Sequence, residues 1–239
     1  MPKYSVVLAT YNRPLLLPRA LGTVARQTVK DFEVIVVNDG GCDVAKIIDV
    51  VRKYIPNLIY IIHEKNRGCA AAYNTAIRAA TGERIVYQSD DDVWFLKHLQ
   101  AFEEGMEDYP VAYSDNVRVN CEEIGGNLYN FSPQQKEYSQ DFDAALLKKV
   151  NYIPQSCYCH RRDIIERIGF YDESLPVLVD WDFFRRAAMA GYPFKHIPIV
   201  TGEYWYPLDD KGWLSGLLET NPVEWHRCRD MILKKGKIK

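Results

Sequence analysis

The chain has 239 residues, of which 47% are hydrophobic and 26% charged, a composition typical of a globular protein with room for one large α/β domain. Its formal net charge of -2 excludes a global basic field that would recruit nucleic acid. No apolar run reaches the roughly 18 residues of a transmembrane helix, and the start shows no signal-peptide pattern. The scattered cysteines form no Cys-x-x-Cys pair, so we expect reduced thiols and a cytoplasmic location.

The first hundred residues alternate short apolar runs with amphipathic segments. This pattern predicts strands over residues 4–9, 32–37, 58–62 and 84–87, and helices over residues 13–27, 44–54, 69–80 and 95–107. Strands that alternate with helices imply βαβ units and a largely parallel sheet, with right-handed crossovers that place helices on both faces. Ligands of such sheets bind beyond the carboxyl ends of the strands.

A polar cluster follows each of the four predicted strands. The clusters are residues 10–13, 38–41, 63–68 and 90–92. Because the carboxyl ends of parallel strands meet at one edge of a sheet, we expect these clusters to converge on one rim. The alternative is a set of independent loops, since loops are polar in any case, but ligand sites favour this rim.

Three consecutive carboxylates, Asp90, Asp91 and Asp92, come directly after the fourth strand. Adjacent carboxylates repel one another and raise each other's pKa, and a bound divalent cation removes that penalty. Carboxylate oxygens suit Mg²⁺ or Mn²⁺, which typically bind through one or two protein carboxylates plus substrate phosphates. The alternative is a solvated turn whose acids cap the following helix.

The order of these motifs resembles that of the family 2 glycosyltransferases with the GT-A fold. The resembling segments are residues 5–13, 33–40, 66–68, 74, 82–83, 89–94, 161–173 and 180–186. Together they run from residue 4 to about residue 190, which is most of the chain. Ser89 before the acids is similar to the Thr/Ser-Asp-Asp form of the spore-coat glycosyltransferase subgroup, and departs from a strict Asp-x-Asp.

The resemblance implies an α/β fold made of a single GT-A domain over residues 1–206, with a mostly parallel central sheet and helices on both faces. Residues 1–100 would form a Rossmann-like half that binds the nucleotide sugar, and residues 101–206 would form the acceptor half. Residues 207–239 would form a C-terminal lid and tail, with the lid around residues 209–216.

The resemblance also implies a reaction. Members of the family transfer a sugar, with inversion, from a nucleoside diphosphate sugar to an acceptor hydroxyl, here of a saccharide or lipid-linked glycan. The donor is expected to be UDP-linked, and the cofactor to be Mn²⁺ or Mg²⁺ held by Asp91 across the two phosphates. The residues implied in nucleotide binding are Thr10, Tyr11, Arg13, Asp39, Arg67 and Asp90.

Asp39 has two interpretations. The resemblance implies that it accepts a hydrogen bond from the N3–H of a uracil-like base. The alternative is a turn, because Asp and Gly are common in sequences such as Asn-Asp-Gly-Gly for backbone reasons.

The catalytic base implied by the resemblance is Asp180, which would remove the proton from the acceptor hydroxyl. Relatives often have Glu before this residue, whereas this chain has Val179, so Asp182 is a second candidate. The alternative role for Asp180 is an N-cap, because a helix pattern begins there. Both roles are compatible, since a cap position exposes the carboxylate at a helix end.

The acceptor side is implied to include Gln155 and Ser156 as partners of sugar hydroxyls, together with Arg161 and Asp182. Arg161 is equally well explained as an exposed residue at a helix start, because surface arginine is common. Many relatives carry a late Tyr-Arg-x-His segment whose histidine completes the metal site. This chain has no histidine there, which leaves Asp209 and His226 as open alternatives.

Four of the last six residues are lysines, and polybasic ends attract anionic lipid. We therefore expect either peripheral contact with the inner face of the membrane or a solvated terminus.

Two other functions stay open at this point. One is a sugar-1-phosphate nucleotidyltransferase, although residues 9–14 lack its Gly-rich phosphate loop. The other is a non-catalytic nucleotide- or carbohydrate-binding module with a decayed site.

Overall fold

The computed structural model describes residues 1–130, 135–207 and 221–235. Its first half contains strands and helices in strict alternation. The strands are β1 (Tyr4–Thr10), β2 (Phe32–Asn38), β3 (Leu58–Ile62) and β4 (Arg84–Ser89). The helices between them are α1 (Leu17–Ala25), α2 (Ala45–Val51) and α3 (Cys69–Ala79). This part of the chain confirms the predicted βαβ pattern.

The second half is more irregular. Its strands are β5 (Val93–Trp94), β6 (Val111–Ile124), β7 (Asn127–Asn130), β8 (Gln135–Tyr138), β9 (Tyr158–Arg161) and β10 (Phe194–Pro207). Its helices are α4 (His98–Gly105), α5 (Ala144–Leu147), α6 (Ile164–Ile168), α7 (Val179–Met189) and α8 (Pro222–Lys234), and a 3-10 turn covers Gln155–Cys157.

All these strands join one sheet in the order β3-β2-β1-β4-β9-β6-β10-β5, with β7 and β8 paired to β6. The pairs among β1 to β4 are parallel, as is the pair of β6 and β10. Strand β9 runs antiparallel to both of its neighbours, β4 and β6. The sheet is therefore mixed, and the predicted parallel arrangement holds in the half formed by β1 to β4.

The sheet has an apolar core on each face because successive strand residues point to opposite sides. Val7, Ile35 and Tyr87 belong to the core covered by α3, α6, α7 and α8. Val6 and Val34 belong to the core covered by α1, α2 and α4. The prediction of helices on both faces is confirmed.

Two helices begin later than predicted. Helix α1 begins at Leu17, after a turn that includes Pro14 and follows Asn12, whose φ is 55°. Helix α4 begins at His98 because the preceding residues pair with β10, with Trp94 opposite Gly202. Tertiary strand pairing here outweighs the local helical pattern.

Helix α8 packs on the same core as the rest of the chain, through buried Cys228 and Ile232. The Arg185 guanidinium donates to the Ile232 carbonyl at 2.6 Å. Lys235 donates to Asp172 and Asp182 at 2.7 and 2.6 Å. The predicted lid over residues 209–216 and the tail end at residues 236–239 lie outside the described residues. None of the helices that the structure describes is long and apolar enough to cross a bilayer.

Buried Glu33 joins the start of β4 to β1 and β2. Its Oε1 accepts hydrogen bonds from the Ser5 hydroxyl, from the Thr81 amide and hydroxyl, and from the Gly82 amide. Burial acts to raise the pKa of Glu33, but these donors outweigh it and lower the pKa. Gly82 fits here because it lacks a side chain, since a Cβ would lie 2.7 Å from Ser5 Oγ and 2.8 Å from the Ser5 nitrogen.

We expect Gly82→Ala to lower the thermal unfolding midpoint, because the added methyl group collides with the β1 backbone at a cost of about 1–3 kcal/mol. Gly22→Ala is the matched control, because Gly22 lies within α1 with no atom within 4 Å of its Cβ position. Alanine is the better helix former, so this change should stabilise the protein by about 0.5–1 kcal/mol. Equal midpoints for the two variants in calorimetry would contradict this account.

Candidate functional site

The carboxyl ends of β1, β2 and β4 form the wall of a cavity of about 490 Å³, which we call the first cavity. The strand register brings these ends level, with Thr10 opposite Asn38 and Ala9 opposite Ser89. The polar residues that line the cavity include Thr10, Tyr11, Arg13, Asp39, Asn66, Asp90, Asp91 and Asp92. The structure thus brings the predicted polar clusters together on one rim.

Asp39 is buried and links the end of β2 to the loop after β3. Its Oδ1 lies 2.6 Å from His63 Nδ1 and accepts the Arg67 amide at 3.0 Å, while Oδ2 accepts the Gly68 amide at 2.8 Å. A carboxylate can accept about four hydrogen bonds, so these contacts leave capacity for one more. Gly40 permits the close approach of the two loops, because a Cβ there would lie 2.3 Å from the Lys65 carbonyl carbon.

The three consecutive acids have different environments. Arg13 Nη1 lies 2.8 Å from both Asp90 Oδ1 and Asp91 Oδ2. Burial raises the pKa of Asp90, and Asp91 adds to this, whereas Arg13 opposes it. Burial and the Asp91 charge likewise raise the pKa of Asp92, whose Oδ1 accepts the Trp205 amide at 3.2 Å. Burial therefore disfavours the ionised forms of Asp90 and Asp92, and Arg13 is the ion-pair partner of Asp90 and Asp91. A bound cation would favour the ionised forms.

This donor set fits Mg²⁺ or Mn²⁺ bound together with a diphosphate. Within residues 1–130, 135–207 and 221–235, no three His, Cys, Asp or Glu side chains form a complete metal cage. The Asp91 side chain is 15% exposed and that of Asp90 only 5%, so Asp91 is the more accessible ligand. One or two carboxylates plus phosphate oxygens and water are the usual ligands of Mg²⁺. Of the two proposed substitutes for the late histidine, His226 is exposed on α8 and Asp209 lies outside the described residues.

A second cavity of about 350 Å³ adjoins the first. The two cavities share the lining residues Cys69, Tyr73, Ser89, Asp92 and Tyr204. The second cavity is also lined by Asn116, Asn151, Gln155, Ser156, Asp180 and Trp225. Gln155, Ser156 and Asp180 thus line the same cavity.

Asp180 lies in the first turn of α7. Burial raises its pKa, while the Asn151 side chain and the backbone amides of Trp181 and of Asp180 itself oppose the increase. Asn151 Nδ2 donates to Asp180 Oδ2 at 2.8 Å. A carboxylate with a raised pKa in a cavity is suited to accept a proton from a bound hydroxyl.

Three predicted site residues do not contribute side chains to either cavity. The Arg67 guanidinium lies 3.4 Å from Glu173, and only its backbone amide reaches Asp39. Arg161 lies at the opposite end of the sheet, where it pairs with Asp163. Asp182 is 1% exposed and forms ion pairs with Arg186 and Lys235. Their positions do not support the predicted roles in nucleotide or acceptor binding.

Several residues of the two cavities were not predicted from the sequence, notably Asn116, Asn151 and Tyr204. Asn116 lies inside β6 and directly follows Ser114 and Asp115, so one more polar residue there gives no recognisable pattern. Asn151 lies four residues before Gln155, so its polar side chain was a detectable signal. His63 was seen in a polar cluster, but its contact with Asp39 required the fold.

Comparison with known proteins identifies relatives across most of the chain. The family model described as Glycosyl transferase family 2 matches residues 5–169. The uncharacterized glycosyltransferase YwdF of Bacillus subtilis is 33% identical over 204 residues, which cover 84% of this chain and 74% of YwdF. A PGL/p-HBAD biosynthesis glycosyltransferase of Mycobacterium tuberculosis is 29% identical over 189 residues, which cover 76% of this chain and 68% of that protein.

Solved structures share the fold at low sequence identity. The mannosyltransferase PcManGT of Pyrobaculum calidifontis, in complex with GDP-Man and Mn²⁺, has a TM-score of 0.71 at 19% identity, covering 100% of this chain and 66% of that one. Residues 1–349 of S. aureus TarS, in complex with UDP, have a TM-score of 0.61 at 20% identity. The match covers 97% of this chain and 69% of the TarS chain. In another TarS structure this chain spans 39% of the length, with a TM-score of 0.66. These likenesses confirm the GT-A fold.

We expect Asp39→Asn to destabilise the protein by about 1–3 kcal/mol, because an amide NH₂ would face the backbone donors or His63 in place of a carboxylate oxygen. Asp43→Asn is the matched control, because Asp43 is exposed and its Oδ1 accepts only the nearby Ala45 amide. Urea unfolding of the two variants measures the difference. An unchanged midpoint for Asp39→Asn would refute its role as a link between the loops.

Proposed function

This chain belongs to glycosyl transferase family 2, and from that membership we propose that it transfers a sugar from a nucleoside diphosphate sugar to an acceptor hydroxyl, with inversion and with Mn²⁺ or Mg²⁺. The observation that carries the proposal is the pair of adjoining cavities. The acid cluster and Asp39 line the first cavity, and Asp180 lines the second. Ser89 and Asp92 line both cavities.

The first cavity would hold the nucleotide. Thr10, Tyr11 and Arg13 line it beside Asp39, whose remaining acceptor capacity suits the N3–H of uracil. TarS has been crystallised with UDP and with UDP-GlcNAc, whereas PcManGT has been crystallised with GDP-Man. The Asp39 chemistry favours a UDP-linked donor for this chain.

Charge at the acid cluster supports a metal-dependent donor site. Arg13 neutralises only part of the charge of Asp90 and Asp91. A divalent cation held by Asp91 would supply Lewis acidity that stabilises the charge of the departing nucleoside diphosphate. PcManGT and GalNAc-T7 have both been crystallised with Mn²⁺.

The second cavity would hold the acceptor. Asp180 would remove the proton from the acceptor hydroxyl as its oxygen bonds to the anomeric carbon. The bond from that carbon to the diphosphate oxygen breaks, and its electron pair leaves with the nucleoside diphosphate. Attack from the side opposite the diphosphate would invert the anomeric configuration.

The second cavity also supports a saccharide or lipid-linked glycan as the acceptor. The Gln155 amide and Ser156 hydroxyl are polar groups suited to sugar hydroxyls, and Trp225 offers an apolar ring. Residues of both proposed halves, 1–100 and 101–206, line this cavity, so we propose that the halves act as one domain.

A location at the inner face of the membrane is also part of the proposal, and it depends on the basic residues 234–239. Of these, the structure describes only Lys234 and Lys235, and Lys235 is paired with Asp172 and Asp182. The family match favours glycosyl transfer over the nucleotidyltransferase alternative.

We expect UDP with Mn²⁺ to stabilise the wild-type protein, by about 2.7 kcal/mol at 100 times the dissociation constant. Asp91→Ala should abolish the Mn²⁺-dependent part of this stabilisation, because it removes the accessible ligand. Asp49→Ala is the control, since Asp49 is an exposed acid on α2. Thermal unfolding with UDP, and with Mn²⁺ or EDTA, measures the effect. An Asp91→Ala variant that keeps the full Mn²⁺ effect would disprove the metal assignment.

We expect Asp180→Asn to retain UDP–Mn²⁺ binding and to lose transfer by about 10²–10⁴-fold, which is the usual contribution of a general base. Release of UDP from UDP-sugars in the presence of saccharide acceptors measures transfer. Asp163→Asn is the control, because Asp163 is exposed and pairs with Arg161 away from both cavities. Near-normal transfer by Asp180→Asn would remove Asp180 from the mechanism.

A further inference from the structure

The segment between α5 and the 3-10 turn lies against the start of α7, and two hydrogen bonds join them. The Trp181 indole donates to the Leu147 carbonyl at 2.7 Å. Four residues later, the Asn151 side chain donates to the Asp180 carboxylate at 2.8 Å. Adjacent residues of α7 are thus tied to the two ends of one short segment, residues 147–151.

This segment is also fixed from its other side. The Tyr152 hydroxyl accepts the Asp143 amide at 2.8 Å and donates to the Asp143 carbonyl at 3.1 Å. Asp143 in turn caps α5, with its Oδ1 accepting the Ala145 amide at 2.7 Å. The Tyr152 side chain is buried, so its ring is held within the core. Asn151 therefore projects from a segment whose position is set by its neighbours.

The orientation of the Asn151 amide follows from chemistry. With the amide reversed, its oxygen would face the carboxylate, and two acceptors would repel each other. With the nitrogen toward Asp180, the contact is a charge-assisted hydrogen bond, stronger than one between neutral groups. Among the residues that the structure describes, no other side chain donates to Asp180.

We infer that Asn151 is a positioning residue that holds the Asp180 carboxylate in the second cavity, oriented to receive the proton of the acceptor hydroxyl. The inference rests on the proposed function of Asp180. The bond fixes one carboxylate oxygen, Oδ2, and so limits rotation of the carboxylate. A fixed base is effective because proton transfer depends first on geometry.

The same bond affects the protonation of Asp180. Asn151 donates to the charged form, and so opposes the increase in pKa that burial causes. Removing the donor should therefore raise the pKa of Asp180 further. Within the part of the chain that the structure describes, Cys69 and Tyr171 interact electrostatically with Asp180, and Tyr73, Asp92 and Tyr204 line the same cavity. None of these groups carries a positive charge that could replace the lost donor. Because the base must be ionised to act, activity should then be lost at a higher pH on the acid side.

The test compares Asn151→Ala and Asn151→Asp with the wild-type protein. The second variant keeps the shape of asparagine but puts a negative charge in place of the donor, so it should have the larger effect. Gln155→Ala is the matched control for the titration alone, because Gln155 lines the same cavity but donates to the Tyr171 hydroxyl rather than to Asp180. The UDP–Mn²⁺ thermal shift checks that each variant is folded with an intact donor site.

The first readout is the titration of the Asp180 carboxyl carbon by ¹³C NMR, with Asp180→Asn identifying the signal. This readout needs no substrate. We expect the midpoint to move to higher pH in both Asn151 variants and to stay in place in Gln155→Ala. An Asp180 midpoint that is unchanged in both Asn151 variants would overturn the inference.

The second readout is UDP release from UDP-GlcNAc with a saccharide acceptor, over a range of pH. For both Asn151 variants we expect a lower kcat with an unchanged KM for the donor. The loss of kcat should be about tenfold greater on the acid side than at the pH optimum, because the midpoint of the acid side moves to higher pH. A loss by the same factor at every pH would mean a purely structural role and would also overturn the inference. The proposed function fails separately, if Asp180→Asn retains transfer.

Discussion

The burial of three consecutive carboxylates at the end of β4 is the constraint around which the rest of the site is arranged. Asp90 and Asp92 are each only 4% exposed, so their charges need partners from other elements. Arg13 supplies one partner from the loop after β1, and the Trp205 amide supplies another from β10. The acids therefore hold together strands that are distant in sequence, and the proposed cation would favour their ionised forms.

The position of the acids at the end of β4 has a second consequence, because Asp92 forms part of the wall between the two cavities. Asp92 and Ser89 face both cavities, so the end of β4 separates the proposed donor from the proposed acceptor. Asp180 approaches the same region from the start of α7, where backbone amides and Asn151 stabilise its charge. Asp92 and Asp180 thus have different hydrogen-bond partners, the Trp205 amide and the Asn151 side chain. Asp92 belongs to an acid cluster suited to a cation, whereas Asp180 is a separate acid suited to accept a proton.

Some site residues could be predicted from the sequence because their position follows from strand order alone. Thr10 and Asp39 lie at the ends of adjacent parallel strands, and periodicity is sufficient to place them on one rim. Arg161 and Asp182 could not be placed in this way. Strand β9 runs antiparallel to β4, which carries Arg161 to the opposite end of the sheet. Asp182 lies two residues beyond Asp180 on a helix, where the rotation of about 200° turns it toward Arg186 and Lys235.

The βαβ order, the rim that carries the polar clusters and the acid cluster after β4 can be read from the sequence, because these features depend on local periodicity and on residue type. Which side chains meet depends on the packing of the folded chain. The contacts of Asn151 with Asp180, of His63 with Asp39 and of Arg13 with Asp90 join residues 24 to 77 positions apart. Such contacts depend on how whole elements pack, and that packing minimises unpaired buried charge over the entire chain, which no short segment encodes.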